Sequence, residues 1–217
     1  MGKPLQRIQQ IEQLAGRALP LVAKLDAVEA FYARRNQPAR YQVCPVAEPA
    51  HLDETLEARG YIQEAETAVQ VAEVRTVLAE TRTRVDHSIS IARSPDENWL
   101  RTYEESGQLE DRAADVRRDI LRRIAARTAH VLASAGQHMA VGLGVLDQEW
   151  LGVFCMPSRT GLRRRGGATN VLHALADWGQ RCGAKRCYLQ VEHRNLAALA
   201  LYERVGFRTI HDYRFRL

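Results

Sequence analysis

Three arginines followed by two glycines stand in MPSRTGLRRRGGATNVLHAL, residues 156–175, between an apolar run and a helix-like segment. The first turn of a helix has backbone N–H groups without internal partners, and the helix dipole makes that end positive. Because glycine has no Cβ, Gly166 and Gly167 would let a pyrophosphate approach the N–H groups from Arg164 to Ala168. The alternative is a basic surface turn, since the spacing R-x-x-G-x-A arises by chance in an arginine-rich chain. The stretch is neither a Walker loop nor a dinucleotide-binding fingerprint.

A second stretch with chemical potential is LQVEHRNLAALALYERVGF, residues 189–207, which begins like a buried strand and ends like an amphipathic helix. Asn195 stands just past the junction, where an asparagine side chain commonly caps a helix. Tyr202 follows two turns later, beside the apolar stripe. A phenol there is either a core side chain with a satisfied hydroxyl or a proton donor in a reaction.

The elements around these stretches predict a sheet with helices. Three short apolar runs separated by glycine or polar breaks indicate an antiparallel meander: TAHVLAS, MAVGLGVLD and EWLGVFCM. A helix (TNVLHALADWGQRC), a strand (KRCYLQVE) and a last strand (FRTIHDYRFRL) complete the C-terminal part. Upstream, SPDENWLRTYEE has a helix-start signal at Ser94 and Pro95, and residues 111–127 predict a further helix.

The N-terminal part predicts an αβαβ order. Helix-like spacing runs from Gln6 to Phe31 and is divided at Pro20. A short strand (RYQVCPV), a helix (EPAHLDETLEARGY) and a strand (QEAETAVQVA) follow. Residues 73–85 contain no Gly or Pro and are interpreted either as a strand that continues into HSISIARS or as a connector between domains.

The two parts of the chain share an order of elements. Aligning Gly60 with Gly206 puts Leu56 opposite Tyr202 and a proline opposite Asn195. We interpret this echo as an internal duplication, although any two αβαβ stretches look alike. The first copy lacks both polar residues, so we expect it to be a scaffold and not a second site.

Taken together, RRRGGATNVLHAL and NLAALALYERVGF resemble two motifs of the GCN5-related N-acetyltransferase (GNAT) family, in the family's order and with one strand between them. The resemblance covers roughly residues 85–217. It implies an α+β fold in which a mixed, mostly antiparallel central sheet is flanked by helices. The N-terminal part, residues 1–80, resembles the degenerate half-copy of tandem members and is expected to be a non-catalytic half-domain.

The resemblance also implies a reaction, the transfer of an acetyl group from acetyl-CoA to a small or peptidyl amine by direct attack in a ternary complex. By the same resemblance, Tyr202 protonates the departing CoA thiolate, and backbone groups of the strand before the loop pair with the pantetheine arm. The alternative is a non-catalytic acyl-CoA-binding module, which would not need this phenol. The implied acyl-CoA contacts are Val153, Phe154, Cys155 and Met156 on the strand, Arg163, Arg164, Arg165, Gly166, Gly167, Ala168 and Thr169 in the loop and first turn, and Asn195.

Two features are left open by the sequence. The general base that deprotonates the acceptor is not identified, and the candidates are Asp147, Glu149, Glu192, His138 and His193. In addition, family members usually have a proline three residues before the first loop arginine, whereas Pro157 precedes Arg163 by six. The crossing from strand to loop is therefore longer or shifted, which leaves open the N–H group that polarises the thioester.

Composition narrows the class of protein. The net charge is +5 over 217 residues, which suits a polyanionic small ligand as well as nucleic acid. The basic segments lack interleaved aromatic residues, which argues against a nucleic-acid binder. No apolar run long enough for a membrane span and no secretory h-region are visible, so we expect a cytoplasmic protein without a membrane partner. No metal site is expected from the four cysteines, and the oligomeric state is open, with a homodimer among the options.

Overall fold

The computed structural model describes residues 19–45, 49, 51–82, 87–106 and 114–217. The helix expected from Gln6 lies mostly outside these residues. The chain divides into two compact units, one formed by residues 1–67 and 211–217 and the other by residues 68–210. Each unit has its own packed core and is described separately.

The first unit contains two helices and two short strand segments. Its elements are α1 (Leu21–Ala33), β1 (Tyr41–Val43), α2 (Leu52–Ala58) and the end of β8 (Arg208–Arg216). Helix α1 begins directly after Pro20, as predicted, and β1 pairs antiparallel with the end of β8. Leu25, Val43 and Leu56 form its core.

An ion-pair network ties the end of β8 to α2 in the first unit. The buried guanidinium of Arg216 donates to Asp53 Oδ1 at 2.9 Å, and Arg214 Nη2 donates to Asp53 Oδ2 at 2.6 Å. These two arginines lower the pKa of Asp53 to about 2, so its carboxylate stays ionised. The network makes the last strand a structural part of the first unit.

The second unit is built on a mixed sheet. The strands are β2 (Thr67–Glu73), β3 (Ser88–Ala92), β4 (Arg127–Ser134), β5 (His138–Asp147), β6 (Trp150–Phe154) and β7 (Arg186–Glu192). They are ordered β2-β7-β6-β5-β4-β3, and the start of β8 lies next to β2. Strands β3 to β6 pair antiparallel, which confirms the predicted meander, and β6 pairs parallel with β7. This is the predicted α+β class.

Helices cover both faces of this sheet. They are α3 (Val74–Glu80), α4 (Glu97–Glu104), α5 (Ala114–Arg122), α6 (Gly167–Arg181) and α7 (Leu196–Arg204). One core cluster contains α3, α6 and α7 with the residues of β4 to β7 that face them, and α4 and α5 pack on the opposite face. Helix α6 approaches β5 closely at Gly142, which has no Cβ. A Cβ at this position would lie only 2.5 Å from Val171 Cγ1.

Two expectations about local structure are corrected, the segment 74–80 and the cap of α4. Residues 74–80 form a helix and not a strand or connector, because Val74 and Val77 are fully buried on one side of it. The chain passes from the first compact unit to the second at Thr67, and β2 lies beside β7, where the Cys187 thiol donates to the Ala72 carbonyl at 3.4 Å. Asp96, not Ser94, caps α4.

Within the described ranges, no helix has the length and apolarity needed to cross a membrane. The same residues contain no group of three or more His, Cys, Asp or Glu side chains that could hold a metal ion.

Candidate functional site

Strands β6 and β7 separate at their carboxyl ends. Their parallel pairing runs only from the pair Trp150 and Arg186 to the pair Gly152 and Tyr188. Both strands continue beyond it, β6 to residue 154 and β7 to residue 192. The backbone edges that face each other across this gap, here named the fork, have no strand ladder between them.

A bulge turns the chain at the mouth of the fork. Phe154 pairs with Leu143 on β5, and the next bridge joins Ser158 to Ala140. One more residue therefore lies on the β6 side than on the β5 side, and Cys155 has a positive φ of 49°. An extra residue of this kind breaks the ladder and redirects the backbone groups around it. Cys155 is thus the point at which β6 leaves its regular pairing.

Helix α6 begins just beyond this bulge with an open N-terminus. Its N-cap, Gly166, has a φ of 85° and provides no side-chain cap. The first helical bond runs from Asn170 N to Gly166 O at 3.0 Å. Among the described residues, no acceptor bonds the N–H groups of Gly167, Ala168 and Thr169. Three donors and the positive end of the helix dipole therefore face outward at the start of α6.

The two glycines of the loop have different roles. Gly166 adopts a left-handed conformation that is unfavourable for residues with a Cβ. Gly167 is buried, and a Cβ there would lie 3.2 Å from the Cβ of Ala140 on β5. The missing Cβ of Gly167 thus serves helix-to-strand packing, and its role in the approach of a ligand stays a prediction.

The three loop arginines are exposed. In the part of the chain that the structure describes, Arg163, Arg164 and Arg165 make no hydrogen bond and no ion pair. Three uncompensated positive charges stand beside the open end of α6.

The longer crossing before the loop is ordered. A short 3-10 helix, Thr160–Leu162, fills it, and Leu162 packs against the core. Arg159, the residue before it, forms an ion pair with Glu105 at 2.8 Å. The extra residues noted in the sequence are therefore accommodated without displacing the start of α6 from β5.

Asn195 and Tyr202 lie on α7. The Asn195 side chain caps the helix by accepting from Ala198 N at 3.2 Å, which confirms the predicted cap and leaves its amide NH₂ exposed. Tyr202 is buried in the cluster that contains Val153 of β6 and Leu189 of β7. Burial raises the pKa of Tyr202 to about 12, so the phenol is protonated at neutral pH.

The sheet topology places these features at one edge. Because β6 and β7 are parallel, the two helices that follow them, α6 and α7, both begin at the carboxyl end of the pair. The fork, the arginine loop and Asn195 therefore lie at the same end of the sheet, and Tyr202 packs behind the strands of the fork. The residues named from the sequence as one site are brought to one region.

The candidate bases are mostly placed elsewhere or engaged. Asp147 and Glu149 lie at the opposite end of β6, about 16 Å along the strand from Phe154. Glu149 forms an ion pair with Lys185, which lowers its pKa. Glu192 is at the fork end of β7 and pairs with Arg194.

The two histidine candidates differ in position. His138 begins β5, with Nδ1 at 3.0 Å from Ser134 Oγ, and His193 directly follows β7 at the fork end. The sequence missed a third histidine, His130, which is buried on β4 with its ring 5.2 Å from that of Trp99. Burial lowers the pKa of His130, so its imidazole is neutral. A single histidine in an apolar strand carries no motif that could have identified it.

Comparisons with known proteins agree with this architecture. Residues 10–216 match the sequence profile of the family described as "Probable histone acetyltransferase Rv0428c C-terminal". The uncharacterized N-acetyltransferase YobR of Bacillus subtilis (strain 168) is 24% identical over 190 residues, which cover 87% of this chain and 76% of YobR.

Solved structures show the same fold. A tandem GNAT protein from the clavulanic acid biosynthesis pathway superimposes with a TM-score of 0.69 at 15% identity, covering 89% of this chain and 68% of that one. A GCN5-related N-acetyltransferase from Kribbella flavida gives a TM-score of 0.64 at 15% identity, with coverage of 89% and 73%. The chain therefore belongs to the family of Rv0428c-type probable histone acetyltransferase C-terminal domains, within the GCN5-related N-acetyltransferases.

Proposed function

We propose that this protein is an acetyl-CoA-dependent N-acetyltransferase that transfers the acetyl group to an amine by direct attack in a ternary complex. The family supports an acetyltransferase. The observation that carries the proposal is the uncapped N-terminus of α6 with left-handed Gly166, beside the open fork between β6 and β7. Acetyl-CoA as substrate supplies a diphosphate, a pantetheine arm with amides, and the thioester.

The arginine loop suits the diphosphate of this substrate. The N–H groups of Gly167, Ala168 and Thr169 would donate to phosphate oxygens, with the helix dipole adding to the attraction. Arg163, Arg164 and Arg165 are exposed and would contribute positive charge without first giving up an internal partner. The geometry of the loop thus fits an anion larger than a single carboxylate.

The fork suits the pantetheine arm. On the side that faces β7, the backbone from Val153 onward has no strand partner, and groups of Val153 to Met156 would pair there with the pantetheine amides. The exposed NH₂ group of Asn195 would donate to the same arm, because its side-chain oxygen is already used as the helix cap. A backbone N–H near the Cys155 bulge would polarise the carbonyl of the thioester.

Tyr202 is assigned as the general acid. As the amine forms its bond to the acetyl carbon, the carbon–sulfur bond breaks, and the phenol would donate its proton to the departing sulfur. The raised pKa keeps this proton available at neutral pH, and no described residue competes for the hydroxyl. The proton of the acceptor ammonium is lost to solvent, through a base that we do not assign.

The proposal is tested by adding a charge to the first turn of α6. Thr169→Asp places a carboxylate where the helix dipole favours it, so the variant should fold at least as well as the wild type. The same charge should repel the diphosphate and weaken acetyl-CoA binding by about tenfold or more, measured by calorimetry. Val22→Asp, in the first turn of α1, is the matched control and should bind acetyl-CoA normally.

Unchanged binding by Thr169→Asp would refute the assignment of the loop. Thermal unfolding with and without acetyl-CoA provides the broader measurement, since a ligand that binds the folded state raises the unfolding temperature. The absence of any shift with the wild type would refute acetyl-CoA as a substrate. A shift without turnover on any amine would instead indicate a non-catalytic acyl-CoA-binding module.

A further inference from the structure

One arginine directed toward the core of the second unit has no assigned role. The Nη1 atom of Arg117 is buried, and no hydrogen-bond partner for it lies among the described residues. Arg117 precedes Leu121 by one helical turn on α5, and Leu121 is buried in the core cluster on this face of the sheet. The Arg117 side chain therefore lies on the buried side of α5.

The surroundings of Arg117 include Tyr103 on α4 and Cys155 at the bulge. Both pack against the same core cluster, and each side chain influences the pKa of the other. Burial raises the pKa of each, while the nearby positive charge of Arg117 acts in the opposite direction on both. The positive charge of Arg117 is thus near enough to act on Cys155, the residue at which β6 leaves its regular pairing.

The neighbouring acidic side chains are already committed to other arginines. Glu104 accepts from Arg118 at 2.7 Å, and Glu105 pairs with Arg159 at 2.8 Å. No ion pair to Arg117 is found within the described residues. A guanidinium nitrogen that is withdrawn from water without a partner is unfavourable for folding. Such a group is expected to meet an anion that does not belong to the described residues.

The side of the sheet on which Arg117 lies indicates whether the anion belongs to acetyl-CoA or to the amine acceptor. Val153 lies in the core cluster that contains Tyr202, whereas the next residue, Phe154, packs with α4 on the opposite face. Tyr202 would receive the departing sulfur on the first face. The amine therefore has the second face for its approach, where Arg117 and Tyr103 lie.

We propose that Arg117 binds a carboxylate of the acceptor, so that the substrate is a small amine carrying a carboxylate, such as an amino acid. This inference rests on the proposed function. The planar guanidinium matches a carboxylate through paired N–H donors. Binding of the carboxylate would hold the amine of the same molecule next to the fork.

The experiment compares acids with their amides. Each of the twenty amino acids and its carboxamide is incubated with acetyl-CoA and the full chain, together with an amidated lysine-rich peptide, and free thiol is measured. We expect at least one amino acid to be acetylated with a kcat/KM about 10- to 100-fold above that of its amide, the range for a hydrogen bond to a charged group.

Substitution of the arginine tests the assignment. Arg117→Gln should raise the KM for the preferred amino acid by a similar factor and bring the acid and its amide to nearly equal efficiency. Acetyl-CoA binding should be unchanged, and the unfolding temperature should equal or exceed that of the wild type, because an uncompensated charge is removed. Arg122→Gln, an exposed arginine on the same helix, is the matched control and should keep the wild-type KM.

Three outcomes would overturn the inference while acetyl-CoA binding stands: no amino acid is acetylated, the amides or the peptide are acetylated as well as the acids, or Arg117→Gln keeps the wild-type KM. If acetyl-CoA does not bind the wild type, the proposed function fails separately. The inference is then tested by calorimetry, which measures the binding of the amino acids to the wild type and to Arg117→Gln. Binding that the substitution abolishes supports the carboxylate site, and no binding to the wild type overturns it.

Discussion

The helix α2 in the first unit and the helix α7 in the second end in the same way. Tyr61 N bonds to Leu56 O at 3.1 Å, and Phe207 N bonds to Tyr202 O at 3.0 Å. Each helix is followed by a left-handed glycine, with φ of 91° at residue 60 and 96° at residue 206. The echo in the sequence therefore corresponds to one local design, a glycine turn that returns an aromatic residue to the core.

The two segments differ at the positions where chemistry is proposed. Leu56 is fully buried, and the position aligned with it holds the phenol of Tyr202. Asn195 caps α7 with its side chain, whereas α2 has no side-chain cap. The comparison teaches that the turn itself is a packing device. The polar side chains of Asn195 and Tyr202 are the differences to which we assign catalysis.

The largest difference is expected in turnover. Tyr202→Phe should lower kcat about 100-fold or more by removing the general acid, while acetyl-CoA binding is retained. The aligned substitution in the first unit, Leu56→Met, conserves volume and should leave kcat unchanged. Steady-state kinetics and calorimetry on both variants make the measurement, and equal turnover by Tyr202→Phe and the wild type would remove the acid assignment.

Stability should respond in the opposite order. Leu56→Ala removes a fully buried side chain from a small core and should cost about 3 kcal/mol in the free energy of unfolding. Tyr202→Phe keeps the ring and loses a hydroxyl without a described partner, so it should cost well under 1 kcal/mol. Denaturant titration compares the two. A larger loss from Tyr202→Phe would mean that its hydroxyl has a structural role.

Alanine substitutions at Gly60 and Gly206 distinguish the cost of backbone strain from the cost of a steric clash. Gly60→Ala and Gly206→Ala both force alanine into the left-handed region, at a cost of about 1–2 kcal/mol. A Cβ at Gly60 meets nothing within 4 Å, whereas one at Gly206 lies 2.6 Å from the Thr76 methyl. Gly206→Ala should therefore be the more destabilising, and adding Thr76→Ser, which deletes that methyl, should recover the excess. An equal loss in both single variants would argue that the methyl moves aside freely.

Lowering the pH should destabilise the two units at different pH values, and this is the smallest effect that we predict. His130 has a lowered pKa through burial, so its contribution to stability is present above its usual 6.5 and is lost as pH falls below it. Asp53 has a pKa lowered from 3.8 to about 2, so its contribution persists until pH falls below 3.8. Hydrogen exchange at pH 7, 5 and 3 should show the second unit loosening first. His130→Phe should remove that early step, and simultaneous loosening would contradict the assignment.

Local signals in the sequence predicted most of the second unit. The glycine and polar breaks between the three apolar runs located β4, β5 and β6, and the cap at Asn195 followed from its position between strand and helix. Residues 74–80 were misassigned because β-branched residues favour strands locally, while burial of Val74 and Val77 against the core decides for a helix. Tertiary packing overrides propensity in such a short segment.

The parts of the site that escaped prediction depend on contacts between distant residues. The left-handed Cys155 arises from a register difference between β5 and β6, which no motif records. The inward direction of Arg117 follows from the packing of α5, whose basic residues look alike in sequence. The role of Gly167 depends on Ala140, which lies on a different element.

The contact between Gly167 and Ala140 has a consequence for engineering. The opening turn of α6 packs tightly on β5, so the distance between its outward N–H groups and the fork depends on an interior contact that no ligand would touch. Enlarging Ala140 would shift the helix end bodily while leaving every exposed residue unchanged. The side-chain volume at Ala140 is thus a way to change the binding site without changing any residue on the surface.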